Sequence, residues 1–186
     1  MEELIRKLLV EIGEDPGRQG LLKTPERVKE SLEFLTSGYR EDPGKIIEGS
    51  IFEEEYDEMV IAKNMSLYSL CEHHLLPFYG ECHVAYIPKG RIIGISKIPR
   101  VVHTFARRLQ VQERLTNQIA KTLMEHLKPY GVAVTIEAVH LCMAMRGVRK
   151  RDALIVTSAM LGAFRTDQKT RMEYLNLIKG GDTQAW

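Results

Sequence analysis

The sequence predicts an α+β fold: an antiparallel sheet with both of its helices on one face, preceded by a helical region. Three observations predict it. From Met59 the patterning runs strand, strand, helix, helix, strand, strand, an order that builds an antiparallel sheet with helices segregated to one side. The two central helical stretches carry apolar residues at helical spacing, and before Met59 the apolar residues also fall in helical stripes. A chain of 186 residues is long enough to bury a real core.

Taken in order, Leu4, Ile5, Leu8, Leu9 and Ile12 form the first helical stripe, ended by Gly13 and Asp15-Pro16-Gly17. Thr24-Pro25-Glu26 offers an N-cap, a proline at the first helical position and an early acid. Val28, Leu32 and Leu35 continue that helix to Gly38, and Glu53 to Glu58 reads as a solvated acidic connector. Residues 1–58 therefore form an N-terminal helical region, and residues 59–186 the sheet-bearing region with a C-terminal helix. In that second region "MVIAKNM" and "YGECHVAYIP" are β-like runs, and "RIIGIS" adds a shorter one. Pro99 opens a helix through Val101, Val102, Phe105 and Leu109. Val111, Leu115, Ile119, Leu123 and Leu127 define the next helix, which Pro129-Tyr130-Gly131 ends. "VAVTIEAVHLCMAM" and "ALIVTSAMLGAF" are two further strand runs, and a last helix begins near Asp167.

Composition narrows the function. A formal charge of +1 gives no global argument for nucleic acid, so any anion site is local. Uncharged stretches such as Gly131 to Ile136 fall far short of the ~20 residues of a membrane span. The charged start, Met1-Glu-Glu-Leu-Ile-Arg-Lys, lacks the apolar core of a signal peptide. With three cysteines, an odd count, the expectation is reduced thiols in a cytoplasmic setting.

The chemistry concentrates in "SLCEHHLLPF". Cys71 and His74 have a spacing that lets one tight turn present two ligands to one ion, and thiolate with imidazole suits zinc. On a strand, His140 and Cys142 share a face, so four Cys/His groups can converge. Three protein ligands plus water would be a catalytic site, four a closed structural one, and buried cysteine with no metal is the plain alternative. His73, beside His74, is free to move protons near neutral pH.

A second group is basic. Lys97 and Arg100 open a helix whose free N–H groups already favour an anion. Arg146, Arg149, Lys150 and Arg151 follow Cys142; such charges are most often solvated turn residues, and Lys97, Arg100 and Arg146 are the better phosphate candidates because each adjoins a suspected segment. "GRQGLLKT" resembles a phosphate loop but lacks the required spacing and a preceding strand. Glu113, in the first turn of its helix, has an ordinary role at the helix dipole; its carboxylate also matches the paired N–H donors on guanine's pyrimidine edge.

Together "SLCEHHLLPFYG", "GISKIPR", "RRLQVQERLTNQIA" and "HLCMAMRGVRK" resemble GTP cyclohydrolase I, and the similarity continues through "GLLKTPERV", "DEMVIAKN" and "VTSAMLGAF". The resemblance implies the tunnelling fold, with two helices inserted between strand pairs, and a homodecamer of two pentameric rings with active sites between subunits. It implies zinc-dependent opening of GTP's imidazole ring, release of C8 as formate and rearrangement to 7,8-dihydroneopterin triphosphate, the first step of folate and pterin biosynthesis. Carried over to this chain, Cys71, His74 and Cys142 hold one Zn2+ per subunit, and His73 and His140 transfer protons. Glu113 anchors guanine with Gln112 beside it. Lys97, Arg100 and Arg146 hold the triphosphate, with Ser96 and Arg27 as further candidates. Neither nucleic acid nor membrane is implied as a partner, and allosteric control by a regulatory protein or end product stays open. Cys82, His83, His103 and His126 fall outside these motifs and read as packing or edge residues, and the tail from Gly180 as a frayed end.

Overall fold

A computed structural model describes residues 1–146 and 153–179. Its N-terminal part is helical, with α1 (Glu2–Glu11), α2 (Thr24–Leu35), a 3-10 turn (Ser37–Arg40) and α3 (Pro43–Glu48). Thr24 lies inside α2 rather than capping it, and Lys23 takes the cap position. The short α3 was not expected, although its signal is present: Asp42 accepts from the backbone N–H groups of Gly44 and Lys45, and Pro43 supplies the first helical φ.

The strands that follow are β1 (Ile51–Glu53), β2 (Val60–Cys71), β3 (Pro77–Ile87) and β4 (Arg91–Ile93). α4 (Lys97–Ala106), β5 (Leu109–Gln110), α5 (Gln112–Leu127), β6 (Gly131–His140), α6 (Leu141–Ala144), β7 (Leu154–Gly162), α7 (Ala163–Thr166) and α8 (Gln168–Lys179) complete the order. The main sheet runs β5-β2-β3-β6-β7. Its long pairs are antiparallel, as expected; the two-residue β5 adds a parallel edge, which makes the sheet mixed. β1 pairs with β4 in a separate two-stranded ribbon, so part of the region read as helix and acidic connector is strand.

Alternation along the strands decides which face is covered. Leu67 of β2, Phe78, Cys82 and Val84 of β3, and Val134, Ile136 and Ala138 of β6 meet Val101, Val102 and Phe105 of α4 and Leu115, Ile119 and Leu123 of α5 in one core. Both helices thus back one face, and Ile47 of α3 joins the same core. Full burial of each Leu or Ile in that stripe is worth roughly 1.5–3 kcal/mol. On the opposite face Ala85 and Ala133 meet Phe164 of α7 and Tyr174 of α8. That cover reaches only part of the sheet: Tyr68, Tyr79, Leu154 and Val156 stay exposed.

One expectation fails at a place that matters. The patterning predicts a strand from Val132 through Cys142, but β6 ends at His140, and Cys142 sits on the one-turn helix α6. The reason lies across the sheet. His140 pairs with Phe78, and the next residue across is Pro77, which has no N–H to extend the ladder. Similarly, "ALIVTSAMLGAF" divides into β7 and α7 at Gly162, whose φ is 57°. α8 begins after Asp167, whose carboxylate accepts from the N–H groups of Lys169 and Thr170.

Candidate metal centre and active site

Cys71 is the last residue of β2 and Pro77 the first of β3, so His73 and His74 lie in the hairpin turn between them. The backbone closes that turn tightly. His74 and Leu75 both donate to the Cys71 carbonyl, Cys71 donates to that of Leu76, and Leu75 takes a φ of 54°. Cys71 Sγ and His74 Nδ1 are left 3.7 Å apart. α6 brings Cys142 to the same point, and the ligand atoms of Cys71, His74 and Cys142 all lie within 4.8 Å of one another. Tetrahedral bonds of ~2.0–2.3 Å to nitrogen and sulfur hold two ligands roughly 3.5–3.8 Å apart, so the cluster fits one ion with little rearrangement. Without a cation, burial and the neighbouring Cys71 hold the Cys142 thiol above its ordinary pKa, while Arg146 pulls it back down. A bound cation reverses that balance, because a coordinating thiol is deprotonated outright.

His140 does not belong to this cluster. As the last residue of β6 it stacks on Phe78, with ring centroids 4.5 Å apart and planes 3° from parallel. Its Nε2 lies 2.7 Å from Gln112 Oε1. Burial lowers its pKa below the usual histidine value, and the Glu113 charge opposes that shift. Gln112 is buried, and the two hydrogens of its amide nitrogen are shared among the carbonyls of Ile136 and Ile155 and Thr157 Oγ1. Gln112 also lines the cleft that holds Glu113 and His140, and its amide is engaged within the protein.

Glu113 lies in the first turn of α5 and lines the same cleft as Cys71, His73, His74, His140 and Cys142. Its carboxylate has no hydrogen-bond or ion-pair partner among the described residues. His73 is exposed, with Nε2 3.9 Å from Glu72 Oε1. Glu72 is held in turn by a bidentate pairing with Arg114 of α5, which holds its carboxyl below the ordinary range and ties the hairpin turn to the helix that carries Glu113. Neither the Glu72–Arg114 pairing nor the stacking of Phe78 on His140 was evident beforehand, since each joins residues far apart in the sequence. The remaining histidines keep local roles: His83 is buried, with Nδ1 accepting from Asn64 N–H, and His126 pairs with Glu48.

The cleft measures about 260 Å³. Small-molecule pockets run from roughly 300 to 1,000 Å³, so one chain does not enclose a nucleoside triphosphate. The basic candidates explain part of the shortfall. Arg146 is near enough to Cys142 to shift its pKa, whereas Ser96, Lys97 and Arg100 sit at the start of α4. The far end of that helix, Ala106, accepts from Ser69, two residues before Cys71. Ten residues of helix span ~15 Å, which separates Lys97 from this chain's own cleft. Arg27 is in α2, outside the cleft lining. Arg149, Lys150 and Arg151 fall outside the described residues, as does the tail from Gly180.

A sheet with two helices on one face, carrying a Cys-His-Cys cluster and an adjoining histidine and glutamate at one end, defines a tunnelling-fold enzyme with a candidate metal centre. The family model for GTP cyclohydrolase I matches residues 1–179. GTP cyclohydrolase 1 of Leptospira biflexa is 60% identical over 181 residues, covering 97% of this chain and 99% of that protein. GTP cyclohydrolase 1 of Chlorobaculum tepidum is 60% identical over 178 residues, covering 96% and 80%. GTP cyclohydrolase 1 of Methylococcus capsulatus is 53% identical, covering 96% of each chain. The chain belongs to the GTP cyclohydrolase I family.

Proposed function

We propose that this protein catalyses zinc-dependent hydrolysis and rearrangement of GTP to 7,8-dihydroneopterin triphosphate and formate, opening folate or pterin biosynthesis in the cytoplasm. The observation that carries the reading is the three-membered Cys71–His74–Cys142 cluster with His140 outside it, in a cleft shared with Glu113. Two thiols and one imidazole are the donors zinc favours over harder ions. Cys71, His74 and Cys142 would hold the zinc ion, which would supply Lewis acidity for activating water near pH ~7.

The chain's own residues do the rest. Glu113, unpaired among the described residues, accepts two parallel hydrogen bonds from the pyrimidine edge of guanine and so sets the purine against the cluster. His73 and His140 flank the cleft and exchange protons with the imidazole ring of the base, whose C8 is a poor electrophile until N7 is protonated. The triphosphate does not react; its contacts with Arg146, Lys97, Arg100 and Ser96 position the base.

Because α4 runs ~15 Å from its start to Ala106, which accepts from Ser69 near the cluster, Lys97, Arg100 and Ser96 would serve a neighbouring subunit's cleft. The open edge of β7 and the exposed Tyr68, Tyr79, Leu154 and Val156 support an assembly in which sheets join, as a decamer of two pentameric rings requires.

The alternative is a zinc-stabilised, non-enzymatic domain in which His140 closes the metal. His140→Ala separates them: the enzyme reading expects full zinc content with turnover lowered about 10²–10⁴-fold. Loss of zinc together with activity supports the closed site.

A further inference from the structure

We propose that Gln112 is a positioning residue that holds His140 as its Nε2–H tautomer and leaves Nδ1 as the ring nitrogen available to a substrate. The inference rests on the reading of His140 as a proton carrier and assigns the atom that does the carrying. Hydrogen positions follow from the network. Gln112 is only 1% exposed, and its amide nitrogen lies 3.1 Å from Ile136 O and 2.8 Å from Ile155 O. Both are backbone carbonyls, which only accept, so the amide nitrogen must face them. A flipped amide would set its oxygen against two carbonyl oxygens at 3.1 and 2.8 Å, with no hydrogen between them.

With the nitrogen fixed there, Gln112 Oε1 faces His140 Nε2 at 2.7 Å. An amide oxygen only accepts, so the hydrogen in that contact belongs to the imidazole. The two threonines give the network a single direction. Thr116 Oγ1 donates to the Gln112 carbonyl at 2.7 Å, which uses its one hydrogen. Thr157 therefore donates to Thr116 across their 2.7 Å contact, and its lone pair accepts from the Gln112 amide at 3.1 Å. No donor in the network is left to reverse the His140 contact. The Phe78 stack fixes the plane of the ring, and turning the imidazole over would replace Nε2 with carbon opposite Gln112. His140 Nδ1 has no hydrogen-bond partner among the described residues, and the ring lines the cleft with Glu113 and Cys71.

The anchor lies on both sides of the sheet–helix junction, since Gln112 opens α5 while Ile136 and Ile155 belong to β6 and β7. Imidazole orientation is thereby tied to the core and not to the exposed hairpin turn that carries His73. Acid–base catalysis by a histidine depends on the correct tautomer, and losing it costs roughly 10²–10⁴ in rate.

The test is nitrogen-15 solid-state NMR of the zinc-loaded, histidine-labelled protein at a mildly alkaline pH, with His140→Asn used to assign the His140 signals. The expected spectrum shows His140 protonated at Nε2 and bare at Nδ1. Gln112→Leu should introduce the Nδ1–H form and lower kcat by at least roughly tenfold, with zinc content and KM near wild type. A wild-type spectrum with hydrogen on Nδ1 overturns the proposal, and so does a Gln112→Leu protein that keeps the Nε2–H form. Should Gln112→Leu not fold, the wild-type spectrum decides alone. The spectrum is independent of turnover, so a protein inactive on GTP would remove the proposed reaction without touching the tautomer result.

Discussion

Cys71 Sγ and His74 Nδ1 stand 3.7 Å apart across the hairpin turn, the separation of two ligands on one tetrahedral ion. The backbone closes the turn that sets this distance, because the Cys71 carbonyl accepts from both His74 and Leu75. The third member, Cys142, comes from a different element and a separate stretch of chain. The cluster therefore ties the β2–β3 turn to the end of β6.

Cys142→Ser should abolish stoichiometric zinc while leaving the fold soluble, since Cys142 is only partly buried where it packs against the main core. The fall in zinc affinity should exceed the roughly 10–100-fold that follows loss of an outer hydrogen-bond partner. Metal analysis after gel filtration measures it. A variant that keeps one zinc per chain removes Cys142 from the ligand set.

Glu113→Ala should raise the KM for GTP by about 10²–10⁴-fold, the loss of two charge-assisted hydrogen bonds worth ~1.5–3 kcal/mol each. Zinc content should stay unchanged, because Glu113 is outside the cluster. Steady-state kinetics read the outcome, and an unaltered KM would remove the guanine-anchor role.

His83 should make the fold acid-sensitive. Burial depresses its pKa against the opposing pull of Glu81 and Glu137, with Lys63 adding to the depression, and Nδ1 must stay bare to accept from Asn64. An unfolded histidine titrates near ~6.5. Between that value and the lower folded one, the unfolded chain binds more protons, so this contribution to stability is present above pH ~6.5 and is lost as the pH falls. Denaturation midpoints at about pH 7.5 and about pH 5.5 should separate further for the wild type than for His83→Gln. Equal separations would contradict the assignment.

Much of this was legible in the sequence because it is periodic or local. The stripe from Leu115 to Leu127 gave α5, and Gly13, Pro25, Pro129 and Asp167 marked an end of α1, α2, α5 and α8. The Cys71–His74 spacing pointed to a turn with two ligands. The position of Cys142 was misread, since its backbone state depends on Pro77 lying across the sheet, 65 residues earlier in the chain. Gln112 is placed beside guanine by the resemblance alone; it lines the cleft, and its contacts with Ile136, Ile155 and His140 join residues too far apart in the sequence to leave a local signal. The parallel β5 edge was hidden by its length of two residues, too short for any period.

The central claim is turnover of GTP at the zinc-bearing cleft. The most direct measurement incubates the zinc-loaded protein with GTP and follows formate release together with the fluorescent pterin formed on oxidation of the product. The account predicts both, in equal amounts, and their joint loss on removal of the metal. A zinc-loaded, assembled protein that binds GTP yet releases neither would contradict it.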